Sequence, residues 1–208
     1  MARYTDAVCR LCRRERIKLY LKGPKCDTMK CPVERRPYPP GEHGRDRIRQ
    51  GSEYLGQLRE KQKARRIYGV LEKQFANLYE EANRTPGVTG ETLLRMLELR
   101  LDNVIYRCGW ASSRNQARQF VRHGHVLVDG KRVNIPSYRL KKGQVVALAE
   151  KSRSMIAVRF NLDTIDRAVP PWLEGDKNTY EMTVRDLPLR EHIDLPLREQ
   201  LIVELYSK

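Results

Sequence analysis

What the chain lacks narrows its function first. No stretch of its 208 residues approaches the roughly 20 consecutive apolar side chains that cross a bilayer. The first ten residues bring Arg3, Asp6, Cys9 and Arg10 where a signal peptide would place an apolar core, and acids appear too early for a transit peptide. The expectation is a soluble, cytoplasmic protein with no membrane partner. No phosphate-binding glycine loop, nucleophile elbow or His-x-Glu zinc-hydrolase signature occurs. The four histidines, His43, His123, His125 and His192, lack the spacing of a catalytic metal site. The chain therefore reads as a non-enzyme without catalytic residues or a small-molecule substrate. Acidic side chains are also in short supply: 26 Asp and Glu stand against 41 Lys and Arg, a formal net charge of +15. For such a surface a nucleic acid is the commonest partner.

The excess of cations is unevenly spread. Residues 1–70 hold 19 basic and 8 acidic side chains and residues 111–153 carry a net +8, whereas 71–110 come to −1 and 154–208 to −3. The neutral segments are free to pack inward or to face protein. The length allows one large domain or two small ones, and even about 90 residues can hold a core, so two are expected.

The stretch from Ser112 to Arg153 has ten Lys or Arg and only two acids, Asp129 and Glu150. Ser113 with Gln116 three residues on is a capping box, and Gly124 falls where a left-handed helix stop belongs. At about 100° per residue Arg114, Arg118 and Arg122 share one strip, nearly opposite Phe120, and the strip is expected to face outward. After His125 the period changes to two. Val126–Val128 reads as a strand, Asp129-Gly130 as a type I′ turn, and Arg132–Ile135 as the returning strand. A second turn, Lys141-Lys142-Gly143, leads into the apolar strand Val145–Ala149. Cations converging from a helix and two turns repel one another unless a polyanion relieves them. His123 and His125 flank the helix stop, where a polar contact and an RNA contact are equally open.

This stretch resembles the RNA-binding module of the S-four superfamily. The marks are Ser113-Arg114-x-x-Ala117, Gly124-His125-Val126, Asp129-Gly130-Lys131 and the segment Asn134-Ile135-Pro136-Ser137-Tyr138. With Arg100-Leu101-Asp102-Asn103-Val104 before it and Tyr38-Pro39-Pro40-Gly41-Glu42-His43-Gly44 far upstream, the resemblance extends over nearly the whole chain, to the cysteine-bearing S-four family of bacterial small-subunit ribosomal proteins. The resemblance implies an α+β fold: a mainly helical first domain with an N-terminal four-cysteine zinc knuckle, and an inserted module of helices on a small, mostly antiparallel sheet. The layout expected is 1–45 for knuckle and basic strap, 46–92 for the helical domain completed by 180–208, and 93–179 for the module. Within the module the RNA-binding set expected is Ser113, Arg114, Gln116, Arg118, Arg122, His123, His125, Lys131, Arg132, Ser137, Tyr138, Arg139, Lys141 and Lys142.

The N-terminal 34 residues have few large side chains but four cysteines in two close pairs, Cys9-x-x-Cys12 and Cys26-x4-Cys31. That spacing suits one tetrathiolate zinc ion, which would supply the folding energy of a segment without a core, although four thiolates also suit an iron–sulfur cluster. Cys108 stands apart and reads as a core residue. Arg35–Arg49 has three prolines and two glycines among five arginines, which reads as an extended cationic strap. Arg35, Arg36, His43, Arg45, Arg47 and Arg49 would lie along RNA, with Tyr38 available to stack on a base.

Ser52–Tyr68 reads as a helix with Tyr54, Leu55, Leu58, Gln62 and Arg65 on one face, and its basic half offers Lys61, Lys63, Arg65 and Arg66 to RNA. A second helix runs over Leu71–Arg84. Gly90–Arg107 reads as one long helix with Leu94, Leu97, Leu101, Val104, Ile105 and Cys108 inward, and Asp102 and Asn103 as structural polar groups beside that stripe. Ser154–Arg167 suits a further helix with Ile156, Phe160 and Ile165 inward. The run Gln200–Tyr206 is too short for periodicity to choose between helix and strand.

The expected function is that of a structural constituent of the small ribosomal subunit. By resemblance it binds small-subunit ribosomal RNA at a multi-helix junction, nucleates early assembly, and lies near the messenger RNA entry path beside neighbouring ribosomal proteins. The alternative is a zinc-dependent nucleic-acid-binding regulator, although the cysteine segment has no recognition helix and the chain no dimerising heptad.

Overall fold

The computed structural model describes residues 3–46, 51–165 and 167–207. Along the chain run α1 (Cys9–Glu15), α2 (Pro32–Arg35), α3 (Glu53–Tyr68), α4 (Glu72–Arg84), α5 (Thr89–Glu98), α6 (Leu101–Arg107) and α7 (Arg114–Arg122). Then come β1 (Val126–Val128), β2 (Lys131–Arg132), β3 (Val145–Leu148), α8 (Glu150–Arg153), α9 (Ile156–Thr164), β4 (Leu173–Glu174), β5 (Glu181–Val184) and α10 (Glu199–Tyr206). Residues 1–93 with 195–208 form one compact unit and 94–194 another.

In the first unit α3 begins where Ser52 Oγ accepts a hydrogen bond from the Leu55 N–H (3.2 Å) and ends at Gly69 in the left-handed region. The face it buries is not the expected one. Gln57, Ala64, Ile67 and Tyr68 point inward, while Tyr54 and Leu55 are exposed. The reason is the chain's far end: α10 lies along that side, with Gln57 Nε2 donating to Glu204 (3.1 Å) and Glu60 accepting the Arg198 N–H (3.2 Å). The terminal run is thus helical. Tyr206 stacks on Tyr79 with ring centroids 4.4 Å apart, and its hydroxyl donates to Glu72 (3.2 Å).

In the second unit the long helix expected over Gly90–Arg107 is broken into α5 and α6. At Leu99–Arg100 the backbone leaves the helix to pair with residues 138–140: the Leu140 N–H donates to Leu99 O (2.9 Å), and the Leu101 N–H to Tyr138 O (2.8 Å). This tertiary pairing outweighs an unbroken apolar period, because the interrupted backbone groups find new partners. Every residue of α6 is buried, and Leu101, Val104 and Ile105 each contribute about 1.5–3 kcal/mol by leaving water.

The sheet is antiparallel throughout, in the order β2-β1-β3-β5-β4, with Val126 opposite Leu148, Val145 opposite Thr183 and Leu173 opposite Val184. Pairing of β5 with β3 and β4 places residues 180–194 in the second unit, so only 195–208, not 180–208, rejoin the first. The returning strand expected over Arg132–Ile135 is shortened to β2, since Pro136 O turns away to accept the Asp102 N–H (3.2 Å). Helix α9 also presents the opposite face to that expected. Val158 and Asn161 are buried, whereas Ile156 is 87% and Phe160 58% exposed. Asn161 sets the rotation by donating to Trp110 O (2.8 Å) and Gln116 Oε1 (3.1 Å), and a buried amide without partners would cost more than an exposed ring.

Candidate nucleic-acid interface

Helix α7 starts as its sequence dictates, with Ser113 Oγ accepting the Gln116 N–H (3.3 Å). Only half of the capping box forms, because Gln116 Oε1 turns instead to the Ser112 N–H (2.7 Å) and hydroxyl (2.8 Å). The helix stops at Gly124, whose φ of +73° suits glycine. Arg132 then donates Nε to Gly124 O (2.8 Å) and Nη2 to His123 O (3.0 Å), occupying carbonyls the helix leaves unpaired. A Cβ at position 124 would lie 2.1 Å from Arg132 Nε, so this glycine also leaves room for the guanidinium.

The arginine strip does not face outward along its length. Arg122 is exposed, but Arg114 and Arg118 are buried in an ionic network built largely by α6. Asp102 takes Arg100 in a two-pronged pair (3.1 and 2.9 Å) and Arg118 at 3.3 Å. Glu98 takes Arg107 in the same way (3.0 and 2.9 Å) and accepts from Asn103 Nδ2 (2.7 Å). Arg114 donates to Asn103 Oδ1 (2.7 Å) and lies 4.3 Å from the Tyr106 ring centroid, with Arg167 over the same ring at 3.7 Å. A helical wheel for α7 alone misses this network, since the burying partners come from another helix. The signal that could have found it is the charged set Glu98, Arg100, Asp102 and Arg107 inside an otherwise apolar run.

The exposed cations gather where three turns meet. Arg122 ends α7; Lys131 and Arg132 follow the hairpin turn; Arg139, Lys141 and Lys142 lie on the loop before β3. The hairpin is type I′, with Asp129 at φ +49° and Gly130 at +74°. Arg132 holds it to the end of α7, and Asp129 ties it to the next loop, accepting the Val145 N–H (2.9 Å) and Gln144 Nε2 (2.7 Å). Lys142 pairs with the exposed Asp186 (2.5 Å). Ser137 and Tyr138 are half-buried. His123 is exposed, while His125 is half-buried against Ser152 Oγ (2.9 Å), and burial, then His123 and Arg132, hold its pKa below the ordinary histidine value.

The candidates on α3 have partners within the first unit. Lys61 and Arg65 both pair with Glu72, Lys63 with Glu60, and Arg66 shares the buried Glu15 carboxylate with Arg59. Over its described residues, 35–46, the strap is folded back, not extended. Gly41 (φ +117°) leads into a 3-10 turn over Glu42–Arg45, and Arg13 Nε donates to Tyr38 O (3.0 Å) and Arg36 O (3.2 Å). The guanidiniums of Arg13 and Arg45 each lie 4.9 Å from the Tyr38 ring centroid, occupying the ring expected to stack on a base. Arg35, Arg36 and Arg45 are exposed, as is His43, which pairs with Asp46 (2.8 Å). Arg47 and Arg49 lie outside the described residues.

Cys9, Cys12, Cys26 and Cys31 line one small pocket with Val8, Leu21 and Pro32, as free thiols, and the Lys22 N–H donates to Cys26 Sγ (3.4 Å). Among the described residues no set of three or more Cys, His, Asp or Glu is gathered closely enough to hold a metal ion as placed. The donors thus converge without closing on a single point. Burial raises the Cys12 pKa to about 11 and raises that of Cys26 as well, with the neighbouring cysteines adding to the effect. Cys108 sits apart in the core of the second unit.

Comparison with known proteins agrees with this geometry. The family described as Ribosomal protein S4/S9 N-terminal domain matches residues 3–98, and the S4 domain matches residues 99–146. The chain is 62% identical to Small ribosomal subunit protein uS4 of Acidothermus cellulolyticus, over the full length of both. It belongs to the uS4 family. The uS4 proteins of Thermoanaerobacter sp. (59%) and Thermus thermophilus (56%) also align over their whole lengths. uS4 is a family of structural ribosomal proteins and not of enzymes. The boundary between its two matched domains falls at Leu99, where α5 gives way to α6, and the second match contains α7, the hairpin and both basic turns. Among the described residues no helix is long and apolar enough to cross a membrane.

Proposed function

We propose that this uS4 chain is a structural constituent of the small ribosomal subunit, in the cytoplasm, and binds small-subunit ribosomal RNA through the basic rim of its second unit. The observation that carries this is the gathering of exposed Arg122, Lys131, Arg132, Arg139, Lys141 and Lys142 at three turns tied to one another by hydrogen bonds. Cations held together in this way release condensed counterions on meeting phosphates, which drives association with folded RNA mainly through shape and backbone. Family resemblance supports the finer reading: binding at a multi-helix junction early in assembly, near the messenger RNA entry path, with neighbouring ribosomal proteins against less basic surfaces. Arg114 and Arg118 act from beneath, holding α7 against α6, while Arg122 meets phosphate. The test is the affinity of the chain for small-subunit ribosomal RNA across a salt series. Replacing Arg122, Lys131 and Lys141 by alanine should lower the salt slope by roughly 0.7–0.9 for each cation removed. An unchanged slope rejects this rim as the binding surface.

The four-cysteine pocket fits a single zinc ion in donor number and kind, with Cys9, Cys12, Cys26 and Cys31 as its ligands. Bound zinc supplies folding free energy to a segment whose own apolar side chains are few, and its charge favours the thiolates that burial alone disfavours. Metal analysis of the anaerobically purified chain tests this, with one zinc per chain expected and less in Cys12→Ser. A visible iron–sulfur absorption, or no metal at all, overturns it.

A further inference from the structure

The rim contains an acid where a polyanion should dock, at the tip of its central hairpin. Asp129 is exposed and stands beside Lys131, so on charge alone it weakens RNA binding. Its oxygens, however, are directed along the protein surface. Oδ1 accepts the Val145 N–H (2.9 Å) and Oδ2 accepts Gln144 Nε2 (2.7 Å). Gln144 passes the interaction on, its Oε1 accepting the Lys141 N–H (2.9 Å), while Nε2 also lies 3.4 Å from the Tyr138 hydroxyl. The Asp129 N–H donates to Val145 O (2.9 Å), closing a two-way exchange with β3. One acid and one amide thereby join the hairpin bearing Lys131 and Arg132 to the loop bearing Lys141 and Lys142.

We infer that Asp129 and Gln144 form a positioning clamp that holds the two basic turns at a fixed separation for RNA phosphates, so that an acidic side chain strengthens binding to a polyanion. This rests on the RNA-binding reading of the rim. The physical reason is preorganisation: loose turns carrying mobile lysines must be ordered on binding, whereas clamped turns have lost that freedom on folding. The polarity of the relay is fixed. A carboxylate only accepts, so Gln144 must direct Nε2 toward Asp129, which leaves Oε1 for the Lys141 N–H. Neither Asp129→Asn nor Gln144→Glu alone keeps all three hydrogen bonds, to Val145, between positions 129 and 144, and to Lys141.

The test uses the full chain and small-subunit ribosomal RNA, with affinity measured across a salt series and thermal unfolding alongside. Gln144→Ala leaves the net charge unchanged, and the clamp requires about fivefold weaker binding, the scale of one or two neutral hydrogen bonds. Asp129→Asn makes the chain more basic by one charge and keeps a residue suited to positive φ. Simple electrostatics requires tighter binding, whereas the clamp requires weaker binding, because an amide at position 129 has one acceptor for two donors: either Gln144 turns over and releases the Lys141 N–H, or the amide itself turns and releases the Val145 N–H. The double variant Asp129→Asn with Gln144→Glu reverses the relay: the amide at position 129 then donates to the carboxylate at position 144. That carboxylate also restores the acceptor for the Lys141 N–H, and the net charge is the parental one. Parental affinity should return. Tighter or unchanged binding by D129N with normal unfolding overturns the clamp, as does failure of the double variant to recover when its unfolding matches the parent. A parental chain that binds no ribosomal RNA overturns the underlying reading, which is distinguishable because no variant is needed to see it.

Discussion

Helix α3 and the rim of the second unit are both rich in lysine and arginine, and, Lys142 with its partner Asp186 excepted, their charges have different fates. On α3, Lys61, Lys63, Arg65 and Arg66 are each bound to a carboxylate of the same unit, and the Glu15 carboxylate that takes Arg66 is itself buried. At the rim, Arg132 is held by backbone carbonyls and keeps its charge uncompensated, and Lys131 and Lys141 are exposed on turns. Counting cations along a sequence treats the two regions alike. Their interaction with a polyanion differs, since an ion pair with an acid must be broken or shared before phosphate gains the full charge.

The largest effect should come from neither region but from the buried network that supports the rim. Asp102→Ala leaves Arg100 and Arg118 buried without their shared carboxylate and should cost about 3–5 kcal/mol in urea unfolding. If Asp102→Ala unfolds like the parent, the network contributes little and α7 is held by its apolar face alone. Next, Glu15→Gln removes the charge common to Arg59 and Arg66, with an expected loss of about 1.5–3 kcal/mol, the usual range for charged hydrogen bonds. It should leave the salt slope of RNA binding unchanged. The comparison is sharpened by pairing two double variants: Lys131→Ala with Lys141→Ala should lower that slope by about 1.4–1.8, while Lys61→Ala with Arg65→Ala should alter stability and leave the slope alone. Equal slopes for both would break the distinction.

The smallest expected effect concerns pH. His125 has a folded pKa below 6.5, so the unfolded chain binds the proton more readily. Its contribution to stability is complete above pH 6.5 and declines as the pH falls from there toward the lower folded value. His125→Gln should flatten the unfolding midpoint over that interval. A midpoint that falls equally in parent and variant assigns the acid sensitivity to other groups.

Local chemistry was legible wherever a turn or cap needs a particular residue. Ser52 and Ser113 begin α3 and α7, Gly69 and Gly124 end them, and Asp129-Gly130 makes the hairpin, because each requirement is met by the residue itself. The basic rim was likewise legible, since exposed turns have few alternatives for a lysine. The faces of α3 and α9 were not. Tyr54, Leu55, Ile156 and Phe160 are apolar enough to suit a core, but helices of mixed composition can be rotated either way, and Gln57 and Asn161 settle the rotation through distant partners.

The amino-acid order thus dictated where α3 and α7 begin and end, where the hairpin turns, and which loops concentrate positive charge, all of them interactions within a few residues. Folding in three dimensions decided what those interactions cannot reach. It broke the α5–α6 run at Leu99, drew Arg114 and Arg118 inward to Asn103 and Asp102, and brought Arg198 and α10 back against α3. In each case a hydrogen-bonding group gained a partner that lies far along the chain or on another element, and burial made that partner worth more than the local periodicity it overrode.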